Sequence, residues 1–472
     1  MPHQHERRIR GPGTAETARL VSSVLLPTLA RGAVVRRPLW EGLADRAGVD
    51  RSIVSTLREF RECHGDDPLP LRFAGRDWAL VLDPGDARQL LRQTPDPFSP
   101  GGREKGGALC HFQPHGALIS DHDRRPGRRE ASTDALAFGR VVHPNGDVIA
   151  QQADAEARAL VTALRNAGPQ GPVLTWTRFA ETFDALARRV FFGPFAARDR
   201  RTTELLYKLR QRANWSYLAP VDRTSRERFL DRLHENILRA EPGSLAAGLP
   251  AGPAAQGPTT QRRAVGRVAD VAAQEPGLHP ESQAAHWLFA FDAAAIATYR
   301  ALALLTARGP ETEEAREEAR TREGLDLPLL RATLRESVRL WPTTLVVIRE
   351  GTRKTFWRQG VIEEGTTFMV MSSYFHRDTA RLPYADAFAP RIWIDGRAER
   401  EPGILPFSYG PAGCPATDLV PFTASLFLRS LLRAGRPHRA DRGDPLRAYD
   451  LPASLNHFAL RFSFSQGFQD ER

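Results

Sequence analysis

Apolar residues recur along most of this chain at the three-to-four spacing of a helical face, and only in short stretches at the alternating spacing of a strand. Residues 39–63 read as helix. Residues 69–73 and 77–82 then read as two strands joined by a turn at Ala74-Gly-Arg76. Asp83-Pro-Gly-Asp86 carries the cap signal of a helix that runs through Leu91. Residues 97–120 are a Gly-rich loop, and residues 150–240 are mostly helical, with Ala, Leu and Arg at helical spacing. A long helix starts near Pro280 and runs to Gly309; it is apolar around most of its circumference, which predicts burial. A further helix lies between Pro328 and Pro342. Strands follow at 346–349, 354–357 and 366–373, the last preceded by a turn at Glu364-Gly365. Tyr374-Phe-His-Arg-Asp378 opens an irregular meander, a buried helix starts at Pro415, and residues 455–464 read as a final strand pair. The pattern predicts a fold that is mainly α with small β-sheets.

Composition narrows the class. Residues 1–15 are polar and expected to be disordered, residues 467–472 are a tail, and residues 242–280, rich in Gly, Pro, Ala and Gln without periodicity, are expected to be a flexible surface loop. The remainder, 16–466, is read as one domain, and no internal repeat is evident. The net charge is +10, with arginine nearly the sole cation; Lys105, Lys208 and Lys354 are the lysines. Those arginines are dispersed among 56 acidic residues without a basic run interleaved with aromatics, so no nucleic-acid partner is expected. Cys63, Cys110 and Cys414 have no framework spacing, which argues for a reducing, cytoplasmic setting. The early apolar run 20–30 is about half of the ~20 residues that cross a bilayer and contains a proline, so no membrane partner is expected.

The chemistry centres on ILPFSYGPAGCPATDL, residues 404–419. A thiol is a strong ligand only as thiolate, and helix-terminal backbone N–H groups favour that form. Pro415 suits a first helical position, so Cys414 reads as a thiolate at a helix start. Gly410 and Gly413 let the backbone pass under a flat ligand, and Phe407 offers a ring beside it. The plainer reading is a structural cysteine in a Gly/Pro turn. Upstream, Glu336 and Arg339 share one face of their helix; such a pair by itself is a solvated ion pair of little worth. His111 and His115 have the spacing of a metal pair on a helix, but Pro114 disrupts that helix.

The order of these elements, a Glu-x-x-Arg helix, a meander containing Phe388-Ala-Pro-Arg-Ile-Trp393, then Phe-x-x-Gly-x-x-x-Cys before the last long helix, resembles the cytochrome P450 family, of the soluble bacterial type. The resemblance spans nearly the whole chain and implies the cytochrome P450 fold, with Cys414 as the thiolate ligand of the iron of haem b (iron protoporphyrin IX). It implies that Arg124, Arg128 and Arg349 bind the haem propionates, although a solvated helix end explains Arg124 and Arg128 equally well. Ala412 stands where the family usually has a propionate-binding Arg or His, and Ile392 where the meander often supplies an arginine to the Glu336/Arg339 cluster. Ala416 replaces a usual glycine, and Thr417 and Asp418 stand where an arginine and a polar neighbour are common. The resemblance puts His115, Phe291 and Val346 at the substrate pocket, and residues 198–239 in a mobile lid.

On the central helix the family carries an acid and an alcohol that move protons toward the reacting oxygen. Aligned on Ala290, their places fall on Ala293 and Ala294; slid by one, on Asp292 and Ala293. The alcohol is missing in either frame. Thr298 is one turn too far along, and the alanines also suit a helix that simply approaches the porphyrin closely. The resemblance thus implies a haem-thiolate monooxygenase acting on a small natural product or peptide, with a ferredoxin-type electron donor and a degenerate oxygen-activation motif. The alternatives are a peroxide-driven or oxygen-independent enzyme of the same type, and an inactive member serving as a binding partner in a biosynthetic assembly.

Overall fold

A computed structural model describes residues 7–166, 173–216, 218–249, 277–441 and 446–466. Helices dominate, with small sheets between them, as the sequence pattern predicts. The chain comprises two compact units. One comprises residues 1–106, 336–414 and 449–456, the other 107–335, 415–448 and 457–472. Of the stretches 1–15 and 242–280, residues 1–6 and 250–276 lie outside the described residues, as does the tail 467–472, whereas the Ile9 N–H donates to the Val361 carbonyl at 3.2 Å and a helix starts at Thr14.

The first unit is built on a five-stranded sheet. Leu69–Phe73 and Arg76–Leu80 form an antiparallel hairpin in the register Leu71↔Trp78. Ala74 and Gly75 both take positive φ (53° and 73°) at its two-residue turn, which matches the twist of the flanking strands. Arg76–Leu80 runs parallel to Thr367–Met371, which pairs antiparallel with Val346–Gly351, and Phe98–Ser99 closes the edge. The strand Thr367–Met371 is buried along its whole length, as expected of a central strand carrying Phe368, Met369 and Val370. Its neighbours in the core include Ile53, Leu57 and Phe60 from the helix Val49–His64 and Leu90 and Leu91 from Pro84–Arg92. The latter helix starts where the cap signal places it, with the Asp83 carboxylate accepting from the Asp86 N–H at 3.0 Å. The single helix expected over 39–63 is two, Pro38–Arg46 and Val49–His64, because Gly48 takes a left-handed conformation (φ 62°) between them. The expected strand at 366–373 gives way at its end to the short helix Ser372–His376.

The second unit is organised by the helix Pro280–Leu304. It is long and apolar enough to cross a membrane by composition, but 78% of the apolar window is buried within the chain. It packs on Trp176–Phe192, Arg223–Leu238 and Leu419–Ala434. The contact with Trp176–Phe192 is aromatic: Phe291 meets Phe191 edge-on at 4.8 Å and Phe183 at 6.1 Å. Two of the sequence expectations fail here. The last long helix begins at Leu419, with Pro415 in a preceding turn, since the first helical carbonyl bonds are Ala416 to Val420 and Asp418 to Phe422. The final strand pair is one strand, Arg461–Gln466, which lies between Val173–Thr175 and Gly435–Arg439 in a three-stranded sheet.

Tyr299 ties the central helix to this sheet. Its buried hydroxyl donates toward the carbonyl oxygens of Leu174 and Leu460, each at 3.0 Å. Replacing it by phenylalanine removes the donor that these two carbonyls share, the Leu460 carbonyl also accepting from Arg461 Nη1 at 2.8 Å, so Tyr299→Phe should lower stability by about 0.5–1.5 kcal/mol in urea unfolding. An unchanged transition midpoint would show that these bonds contribute nothing.

Candidate functional site

The helix Pro328–Leu340 ends in an ion pair from which water is excluded. Glu336 and Arg339 are fully buried and meet through two bonds, Nε to Oε1 and Nη2 to Oε2, each 2.7 Å. A buried pair is stable only when its remaining donors and acceptors are filled. Arg339 donates to the carbonyls of Ala387 (2.7 Å), Ala385 (3.0 Å), His376 (3.2 Å) and Tyr384 (3.3 Å). Glu336 accepts from the Ala389 N–H at 3.0 Å and the Trp393 indole N–H at 2.8 Å. The solvated pair that the spacing alone suggests is therefore a buried hub that fixes the meander. Trp393 supplies the donor that the sequence lacks at Ile392, and the signal for it was an indole, which needs a partner, inside a loop.

A second residue missed in the sequence connects this hub to the cysteine loop. His376 is fully buried, and its Nε2 accepts the Leu405 N–H at 3.0 Å. Burial and the nearby Arg339 push its pKa down to about 3, so it stays a neutral acceptor. From Leu405 the chain enters a tight loop in which Ser408 bonds the Leu405 carbonyl at 3.0 Å, Gly413 the Gly410 carbonyl at 2.8 Å, and Cys414 the Phe407 carbonyl at 2.9 Å. Gly410 is required here: its φ is 68°, and a Cβ would lie 2.4 Å from the Leu91 carbonyl oxygen. Cys414 is half-buried and forms no disulfide. With the helix starting at Leu419, the thiol stands five residues upstream. A helix-terminal field fades within the first turn, so the loop rather than the helix sets the environment of the sulfur.

Arg349 belongs to the same unit and joins the same loop. It is buried in the strand Val346–Gly351 and donates to the Ile348 carbonyl (2.8 Å), Thr94 Oγ1 (3.1 Å) and Ser408 Oγ (3.2 Å). Val346, half-buried, pairs with Met371 in the sheet. Phe407, Val346, Arg349, Glu336, Arg339 and Cys414 thus lie in the first unit; the other candidates lie in the second. There Arg124 is exposed, whereas Arg128 is buried and donates to the Gly277 carbonyl (2.9 and 2.7 Å) and Ser120 Oγ (2.7 Å). His115 stacks on His279 with ring centroids 3.8 Å apart, and burial together with His279 pushes its pKa down to about 4. Phe291 is packed in the aromatic core. Ala294 is buried and Ala293 half-buried; the Thr298 hydroxyl donates to the Ala294 carbonyl at 2.7 Å. Asp292 pairs with the buried Arg210 at 2.6 Å.

Residues 311–456 match the family model described as cytochrome P450. That segment, under half of the chain, is similar to the cytochrome P450 family. Among curated members the chain is 27% identical over 118 residues to a probable cytochrome P450 12c1, mitochondrial, of Drosophila melanogaster, covering 23% of this chain and 22% of that protein. It is 29% identical over 114 residues to the mitochondrial sterol 26-hydroxylase of Mus musculus, covering 23% of this chain and 21% of that protein. It is 30% identical over 162 residues to the 2-hydroxyisoflavanone synthase of Glycine max, covering 30% and 31%. The matches thus span between a fifth and a third of the length of these relatives. The fold is similar to that of CYP175A1 from Thermus thermophillus, with a TM-score of 0.62 at 18% identity, covering 91% of this chain and 98% of that one.

The residues of the cysteine loop fit the haem that the cytochrome P450 match implies. A half-buried thiol sits in a loop where Gly410 leaves no room for a side chain, and a buried arginine bonds the neighbouring Ser408. That loop is held by the Glu336/Arg339 hub through His376. Arg339→Ala should therefore cost about 3–5 kcal/mol, because it leaves a buried carboxylate without its counter-ion and removes a donor from four carbonyls. Denaturant unfolding measures this, and a loss under ~1 kcal/mol would mean that the pair is hydrated in solution.

Proposed function

We propose that this protein is a haem-thiolate oxidoreductase with haem b as its cofactor and Cys414 as the iron ligand, acting as a monooxygenase on a small natural product or short peptide. The observation that carries this reading is the loop 404–414, which presents one thiol on a backbone pinned by Gly410 and by the bond from Cys414 N–H to the Phe407 carbonyl. Haem, when bound, supplies the redox chemistry. The chain supplies position and electrostatics. Arg349, beside the cysteine loop, is the propionate partner that Ala412 cannot be, and Arg128 is the second cation assigned to that role. His115, Phe291 and Val346 are assigned to the substrate side.

Electrons come from a ferredoxin-type donor in this reading. Asp418 would repel an acidic partner, but its carboxylate accepts from the Gly139 N–H at 2.8 Å and faces Arg335 at 3.4 Å, which moderates that repulsion. Proton supply is the weaker link. Ala293 and Ala294 carry no exchangeable proton, and the Thr298 hydroxyl is spent on its own helix. Water or a polar group of the substrate must then deliver protons. The same observation favours a second reading, a peroxide-driven or oxygen-independent enzyme that needs no proton relay on this helix.

Reduced protein under carbon monoxide should give the absorption of a thiolate-ligated ferrous haem, and Cys414→Ala should abolish it. A spectrum unchanged by that substitution would remove Cys414 from the site. Product formed per NADPH consumed should be low with surrogate ferredoxins and a substrate that offers no hydrogen bond, and should rise in Ala294→Thr. Tight coupling in the wild type with such a substrate would overturn the account of proton supply.

A further inference from the structure

The N-terminal part of the first unit exposes apolar side chains that no function above uses. On the helix Pro38–Arg46, Leu39 is 71%, Trp40 46% and Leu43 43% exposed. At helical spacing these three share one face, opposite the buried Glu41 and Ala44. The preceding helix Leu26–Ala30 adds Leu26 and Leu29, each 50% exposed. The two helices are fastened to each other at their corner. Arg31, which caps the first, bonds Glu41 on the second at 2.7 and 3.0 Å, and the Arg37 N–H donates to the Arg31 carbonyl at 3.0 Å. Scattered exposed leucines are ordinary, but Leu39, Trp40 and Leu43 stand exposed on one helical face.

The charges of this segment are sorted. Glu41 and Asp50 are buried on Arg31, and Asp45 accepts from the Ser454 hydroxyl. The acids are thereby neutralised or turned inward. Arg46 and Arg51 are exposed and make no ion pair among the described residues. Arg46 lies one helical turn beyond Leu43 and two beyond Leu39, on the flank of the apolar face. An apolar face carrying a tryptophan, with cations at its edge and its acids withdrawn, complements a surface that is apolar inside and anionic outside.

We propose that this face docks peripherally on an anionic lipid surface, with Leu39, Trp40 and Leu43 entering the headgroup boundary and Arg46 and Arg51 facing lipid phosphates. The helix Pro38–Arg46 is far too short to span a bilayer, so attachment is interfacial and reversible. Each exposed arginine near an anionic surface is worth about fivefold in partition.

Flotation of the full chain with extruded vesicles tests this. The protein should float with vesicles of phosphatidylcholine and phosphatidylglycerol at low salt, and much less with phosphatidylcholine alone or in high salt. Leu39→Glu/Leu43→Glu should reduce the bound fraction at least ~tenfold, and Arg46→Glu/Arg51→Glu more than ~25-fold, each with an unchanged circular dichroism spectrum and unfolding temperature. Because every altered side chain is exposed, a folding defect in one double variant leaves the other as the test. Absence from the anionic vesicle fraction, equal binding to neutral vesicles, or binding unchanged in the variants would overturn the proposal. So would a concentration-dependent dimer in sedimentation velocity that Leu39→Glu/Leu43→Glu abolishes, since the face would then be an interface between two copies.

Discussion

Burying a carboxylate and a guanidinium together costs more desolvation than their attraction returns unless every remaining hydrogen-bonding position is filled. At Glu336 and Arg339 the filling is done by the meander itself. Four carbonyls, at His376, Tyr384, Ala385 and Ala387, converge on the guanidinium, and the Ala389 N–H and Trp393 indole complete the carboxylate. A segment with little regular structure of its own thus acquires one conformation from a single buried pair. The pair is rigid because its helix is, and what it orders lies outside the helix.

The consequence reaches the thiol through few covalent steps. His376, whose carbonyl Arg339 holds, uses its ring to hold Leu405, and nine residues later comes Cys414. Arg377 adds a second clamp. It bonds Asp386 at 2.6 Å and the carbonyls of Leu340 and Leu451 at 3.1 and 3.0 Å. The protonation state of His376 matters here, since an imidazolium has no acceptor to offer the Leu405 N–H. Burial beside Arg339 keeps the ring neutral over the whole working pH range.

Much of this was legible in the sequence, for identifiable reasons. Strong periodicity gave the central helix, and turn chemistry gave the hairpin at Ala74-Gly75 and the cap at Asp83. The order of motifs gave the family resemblance. What was not legible depended on geometry that spacing does not carry. A Pro after Cys414 looked like a helix start, yet the backbone makes a further turn before helical bonding begins at Leu419. Gly48 falls inside the stretch that reads as one helix and breaks it with a left-handed residue. The roles of His376 and Trp393 follow from which backbone groups reach them in three dimensions. Nor did the sequence distinguish Arg124, left exposed, from Arg128, buried four residues later.

The structure also bears on the central helix, where two alignments of the motif compete. In the frame that puts the acid at Asp292, that carboxylate is already paired with Arg210, which also lies over the Phe289 ring at 4.9 Å. A paired carboxylate is a poor proton donor, because releasing Arg210 would leave a buried cation uncompensated. In the other frame the residue is Ala293, with no proton to give. The neighbouring alcohol, Thr298, donates backward to the Ala294 carbonyl, the common fate of a helical threonine that nothing else recruits. Both frames therefore arrive at one result: at the candidate positions Asp292, Ala293, Ala294 and Thr298, each polar side chain already has a partner within the protein.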